Sequence, residues 1–117
     1  MELNTRANIE LLVNGFYEKV KTDELLAPIF AHVNWPAHLP VMYNFWSSML
    51  LGDQSYQGNP FQKHSGLPIS SHHFDRWLLL FIQTVDEHFV GANAEEVKSR
   101  AKQIASVFQF KMELVKT

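Results

Sequence analysis

Residues 70–91 read SSHHFDRWLLLFIQTVDEHFVG, and this stretch decides the fold class. Phe74, Trp77, Leu78, Phe81, Val85, His88 and Phe89 recur by threes and fours, the spacing of one helical face. Leu79, Leu80 and Ile82 widen that stripe, so the segment is apolar nearly all round between 77 and 82. Such a helix is expected at the centre of a core. Ser70 or Ser71 can cap its start near His72, and Gly91 ends it just past Phe89.

The same period extends outward in both directions. Downstream, Asn93-x-x-Glu96 resembles a capping box, and Val97, Ala101, Ile104, Ala105, Phe108 and Met112 form the inward stripe of a helix from Ala94 to about Val115. Upstream, His38, Met42, Phe45 and Met49 step by four, three and four, with Trp46 and Leu50 alongside. That predicts a helix from Trp35 or His38 to Leu51, stopped by Gly52. Pro36 suits its first turn, and Pro40 is expected to kink it or delay its regular part. At the N-terminus, Ile9, Leu12, Val13, Phe16, Tyr17 and Val20 make another stripe, capped by Asn4 or Thr5. Gly15 interrupts it, which suggests close approach of a second helix or a bend. Thr22 can cap a short turn from Asp23 to Ala27, stopped by Pro28. Residues 52–63, GDQSYQGNPFQK, carry turn residues and no period. No segment alternates as a strand should. The class is all-α, with four or five main helices in one domain over residues 1–117.

Composition narrows the chemistry. The chain is 46% hydrophobic, which supports a packed core and excludes a disordered chain. Aromatics reach 13%, so that core is built on flat, bulky groups. A formal charge of −2 disfavours a phosphate backbone as partner. No apolar run approaches 18 residues, and Met1 to Arg6 is not a basic-then-apolar leader, so no membrane partner and a cytoplasmic location are expected. With no cysteine, thiolate metal sites, disulfides and cysteine nucleophiles are excluded. Phosphate loops, nucleotide-binding glycine motifs, serine-nucleophile elbows and H-E-x-x-H are absent. No two of the six histidines are spaced i, i+3 or i+4, so no helix offers a two-histidine metal face.

His64 is the informative histidine. It follows the irregular loop and precedes the apolar helix, where a single imidazole over an aromatic cavity can serve as the proximal ligand of haem iron. By position alone, an ordinary loop histidine is the simpler reading. Tyr17 and Trp77 shift the balance. Both lie on apolar faces of different helices, so each carries a polar tip inward. The two donors can meet over one ligand or bond nearby carbonyls. His38 heads an inward stripe and reads equally as a gate, a ligand or a solvated residue at a helix start. His72 and His73 look like helix-cap residues, and His88 suits a helix C-terminus.

Taken in order, the chain shows Phe16-Tyr17-Glu18-Lys19-Val20, Pro28-Ile29-Phe30 and Trp35-x-x-His38. Phe45-Trp46, Leu50-Leu51-Gly52, Tyr56-x-Gly58-x-Pro60 and His64 follow. Phe74-x-x-Trp77-Leu78-x-Leu80-Phe81 closes the series. This set resembles the truncated haemoglobins, specifically their third subgroup, over nearly the whole chain. The resemblance implies a truncated globin fold, a two-over-two helical sandwich with haem b in its cleft. It implies His64 as proximal iron ligand, Tyr17 and Trp77 as distal donors, and His38 as a distal gate. It places Phe16, Met42, Phe45 and Trp46 on the distal wall and Tyr56 and Lys63 at the propionates.

The expected function is binding of dioxygen, nitric oxide, carbon monoxide or similar diatomic ligands. Two inward donors favour retention of dioxygen over its delivery. Nitric oxide dioxygenation or a peroxidase-like activity is therefore expected rather than bulk transport, with electrons from an external reductase. A gas sensor acting through a separate partner and a haem-free helical binding module are the competing readings.

Overall fold

The computed structural model describes residues 1–31, 33–53 and 70–116, with side chains to residue 110. Four helices stand among them: α1 (Arg6–Thr22), α2 (Trp35–Leu51), α3 (Ser71–His88) and α4 (Ala92–Lys116). In α1, the Thr5 hydroxyl accepts the Asn8 N–H, and the Asn8 side chain accepts the Thr5 N–H, both at 3.2 Å. This reciprocal pair occupies two donors that the first turn leaves without helical partners. The face it launches buries Ile9, Leu12, Val13, Phe16, Tyr17 and Val20, the six residues of the sequence stripe. Burying each contributes on the order of 1.5–3 kcal/mol.

α2 begins at Trp35, behind an Asn34 cap, and ends at Gly52 in the left-handed conformation with φ 72°. It runs through Pro40 instead of starting there. Pro40 and Pro36, whose carbonyl would have paired with the missing N–H, are both exposed. Water can satisfy that carbonyl, so the loss is confined to one bond in the opening turns.

α3 departs from its expected burial. Phe74, Leu80, Phe81, Thr84 and Val85 are buried, but Leu79 is 46% exposed and His88 faces solvent. Among the described residues the helix packs chiefly on α1 and α4 and leaves Leu79 uncovered, so its apolar stripe is wider than the surface that they cover. Gly91, at φ 102°, turns the chain sharply enough that α4 starts at Ala92, ahead of the expected Ala94. Asn93 does not make the expected cap. Its side-chain amide donates to the Leu3 carbonyl at 2.9 Å, tying the N-terminal segment to this corner beside a Val90 N–H to Met1 C=O bond of 2.8 Å.

α1 packs against α2 and α3, and α4 packs against α3 and α2. The result is two layers of two helices. Gly15 lets α1 come close to α3: a Cβ there would meet the Thr84 methyl at 3.3 Å. The turn expected after Thr22 is present. Asp23 accepts the N–H groups of Leu25 and Leu26 at 3.1 and 3.0 Å, and the Arg76 Nε donates to it at 2.6 Å. That bond links the α1–α2 connection to α3.

A candidate ligand pocket between the helix layers

A stack of rings crosses the middle of the molecule. Trp46 of α2 stacks on Phe81 of α3 at 4.8 Å, and Phe81 stacks on Trp77 at 5.5 Å with planes 15° apart. Phe16 of α1 meets Trp77 and Phe81 edge-on, at 5.6 and 5.3 Å. Edge-to-face and offset stacking are the favoured geometries for such rings, so the cluster is stiff as well as apolar.

Beside this stack lies a pocket of about 760 Å³, its open mouth included. It is an open cleft lined almost wholly by apolar and aromatic side chains, the usual make-up of small-molecule and cofactor sites. α2 supplies Met42, Phe45 and Trp46, and α3 supplies His73, Phe74 and Trp77. α4 adds Ile104, Ala105 and Phe108, and the turn after α1 adds Leu26, Ile29 and Phe30. Tyr17 enters from α1. Tyr17 and Trp77, on different helices, therefore reach the same pocket.

The Tyr17 phenol is the chemically informative group. Only 5% of the residue is exposed, and burial pushes its hydroxyl well above the usual tyrosine range. The group is thus an O–H donor at any physiological pH. Among the described residues no hydrogen bond of this hydroxyl is found, and the residue lines the pocket, so its O–H is available to a ligand there.

The other expected residues take distinct places. His38 packs edge-on against Tyr17 and Trp35, with ring centroids 5.4 and 5.6 Å away, and does not line the pocket. Phe16 is buried behind the wall and also stays out of the lining. His64, Tyr56 and Lys63 lie outside the described residues. Among the described residues, no three His, Asp or Glu side chains converge as a metal site.

Several wall residues carry no distinguishing signal in the sequence. Ile104, Ala105 and Phe108 look like ordinary core, because a stripe that faces a pocket has the same period as one that faces a helix. In the sequence His73 looks like a helix-cap residue. Its ring does cap: its Nδ1 accepts the Ser70 N–H at 2.9 Å, with the Ser70 hydroxyl 3.0 Å away. It also lines the pocket.

The fold and the pocket can be compared with known proteins. The family model described as bacterial-like globin matches residues 2–113. The chain belongs to that family. It is 36% identical to the group 3 truncated hemoglobin ctb of Campylobacter jejuni, over 92% of this chain and 91% of that protein. It is 35% identical to the group 1 truncated hemoglobin GlbN of a Nostoc species, over 57% of this chain. The crystal structure of the group III truncated hemoglobin from Campylobacter jejuni superposes with a TM-score of 0.87 and 35% identity, covering 96% of this chain and 95% of that one. The resemblance to the third subgroup and the two-over-two sandwich are both borne out.

Membership of a globin family implies haem binding, and the pocket suits that group. Its walls are largely aromatic and apolar. Its buried phenol offers a hydrogen bond to a small ligand. No helix among the described residues is long and apolar enough to cross a membrane.

Proposed function

We propose that this globin binds haem b and a diatomic gas, and that it acts on nitric oxide or reactive oxygen species rather than carrying oxygen in bulk. The observation that carries this reading is the buried Tyr17 hydroxyl, a protonated donor without a described protein partner, at the wall of an aromatic pocket. When bound, haem supplies an iron that takes dioxygen, nitric oxide or carbon monoxide. His64 is the proposed axial ligand, and Tyr56 and Lys63 are proposed at the propionates.

The remaining roles belong to side chains of the helices. Tyr17 donates to a ligand that carries partial negative charge, and the Trp77 indole N–H is a second donor on the same pocket. Met42, Phe45 and Trp46 exclude water, and Phe16 holds Tyr17 and Trp77 in place from behind. His38 stands against Tyr17 as a gate. Strong retention of dioxygen suits oxidation of nitric oxide to nitrate, which takes up one electron per turnover. An external reductase supplies that electron, and the proposed location is the cytoplasm. Peroxide reduction would draw on the same reductase.

A visible spectrum tests the reading. Purified protein reconstituted with haemin and reduced is expected to show a Soret band that moves on adding carbon monoxide. Protein that stays colourless with excess haemin would end it. His64→Gly is expected to weaken haem retention sharply, with added imidazole restoring a five-coordinate ferrous spectrum in part. Wild-type spectra for His64→Gly would reassign the ligand.

A further inference from the structure

Among the described residues, His73 is the one pocket-lining side chain, Tyr17 apart, with a strongly polar tip. Its tautomer follows from its neighbour. A backbone N–H can only donate, so the Ser70 N–H at 2.9 Å requires an unprotonated Nδ1. The neutral ring then carries its proton on Nε2. Ser70 holds the ring by its Nδ1 edge, which leaves the Nε2–H as a pre-oriented donor on a residue that lines the pocket together with Phe74, Trp77 and Phe108. His73 is half-buried, and Phe74 beside it is buried, so this donor sits where the pocket meets solvent. A charged ligand group belongs at such a margin, since carrying it deeper forfeits hydration.

We propose that His73 is a carboxylate-binding residue of the pocket, its Nε2–H donating to a carboxylate at the rim of a bound porphyrin. The inference rests on the haem reading above and adds a residue to it. It also accounts for histidine at a position where Glu or Gln completes the usual capping box. Either would cap Ser70, but Glu would put a negative charge beside the carboxylate. Histidine caps with one nitrogen and donates with the other.

That division of labour sets the test. Wild-type, His73→Leu and His73→Glu apoproteins are loaded with haemin or with haemin dimethyl ester. Loss to an excess of a haem-free acceptor globin is timed for each. His73→Glu retains the cap, and melting of the apoprotein verifies that α3 is intact. A hydrogen bond to a charged acceptor corresponds to roughly a tenfold change or more in retention. Both variants are therefore expected to lose haemin at least about tenfold faster than wild type while losing the diester at nearly the wild-type rate. His73→Glu should be the faster of the two. Haemin loss from His73→Glu at the wild-type rate would show that the residue only caps. Equal acceleration for haemin and diester in both variants would show that it only fills space. Either result overturns the inference and leaves haem binding standing. Failure of the wild-type protein to take up haemin at all removes the haem reading itself, before any variant is compared.

Discussion

At the residue scale, Tyr17 shows how burial converts an ordinary side chain into a functional one. Its ring packs against Phe16, Phe30, Trp35 and His38, so its position is set by four neighbours. Tyr17→Phe retains the ring and deletes only the donor. A hydrogen bond to a partly charged ligand contributes about 1.5–3 kcal/mol, so oxygen dissociation should quicken by roughly ten- to a hundredfold. Carbon monoxide, nearly neutral when bound, should leave at almost the wild-type rate. Stopped-flow off-rates for both gases check this, and equal changes would mean that Tyr17 acts by shape alone. Gly15 is the second residue with a sharp consequence. Ala there gains up to about 1 kcal/mol of helix propensity, yet its methyl would press on Thr84, which is fully buried and bonded to the Leu80 carbonyl at 2.8 Å. Gly15→Ala is expected to lower stability by about 0.5–1 kcal/mol, since α1 and α3 must part to admit it. In a Thr84→Ser background, which lacks the opposing methyl, the same change should stabilise. Urea melts of the four proteins settle the sign.

At the element scale, the connection after α1 forms one wall of the pocket through Leu26, Ile29 and Phe30. It is held by Asp23, which caps the turn and pairs with Arg76 of α3. Burial alone would raise the Asp23 carboxyl. The Arg76 hydrogen bond, the Leu26 and Leu25 N–H groups and the Arg76 charge outweigh burial and bring it below its ordinary value. A group depressed in the folded state contributes stability above its unfolded pKa, and that contribution is lost as pH falls through the folded value. This one is therefore complete at neutral pH and fades in acid, below the ordinary carboxylate pKa of about 4. Asp23→Asn should cost about 1–2 kcal/mol at pH 7 and progressively less on acidification. The gap between wild-type and variant melting temperatures, followed from pH 7 to pH 3, checks the sign. A gap that widens in acid would mean that the pair is not stabilising. Arg76→Ala should also loosen the wall and speed ligand entry.

At the scale of the whole molecule, two helix layers leave their middle to a pocket walled by side chains from all four helices and the turn. Such walls pack incompletely against one another, so a ligand completes the core. Haemin should therefore stabilise the fold well beyond a surface-bound additive. A free haemin concentration a hundredfold above its dissociation constant adds about 2.7 kcal/mol. That corresponds to a rise of about 10 °C in Tm for a chain of this size. Calorimetry with and without haemin measures it, and an unchanged Tm at saturating haemin would remove the pocket from the account of stability.

Local chemistry along the chain was enough to determine the helices. The α1 stripe is buried residue for residue, because a covered amphipathic helix must turn its 3.6-residue period inward whatever covers it. The same holds for the close approach at Gly15 and the turn at Asp23. The ordered aromatic and histidine positions were enough to show the family. What they could not show is which side of an apolar stripe meets a neighbour and which meets a cavity. Leu79 and Phe108 have the same credentials as Leu80 and Phe81, yet Leu79 is exposed and Phe108 lines the pocket. The second role of His73 was likewise invisible, since capping is local in sequence and pocket-lining is not. Period is a property of one helix. A pocket is a property of how four of them fail to touch, and that failure is decided only when the layers pack.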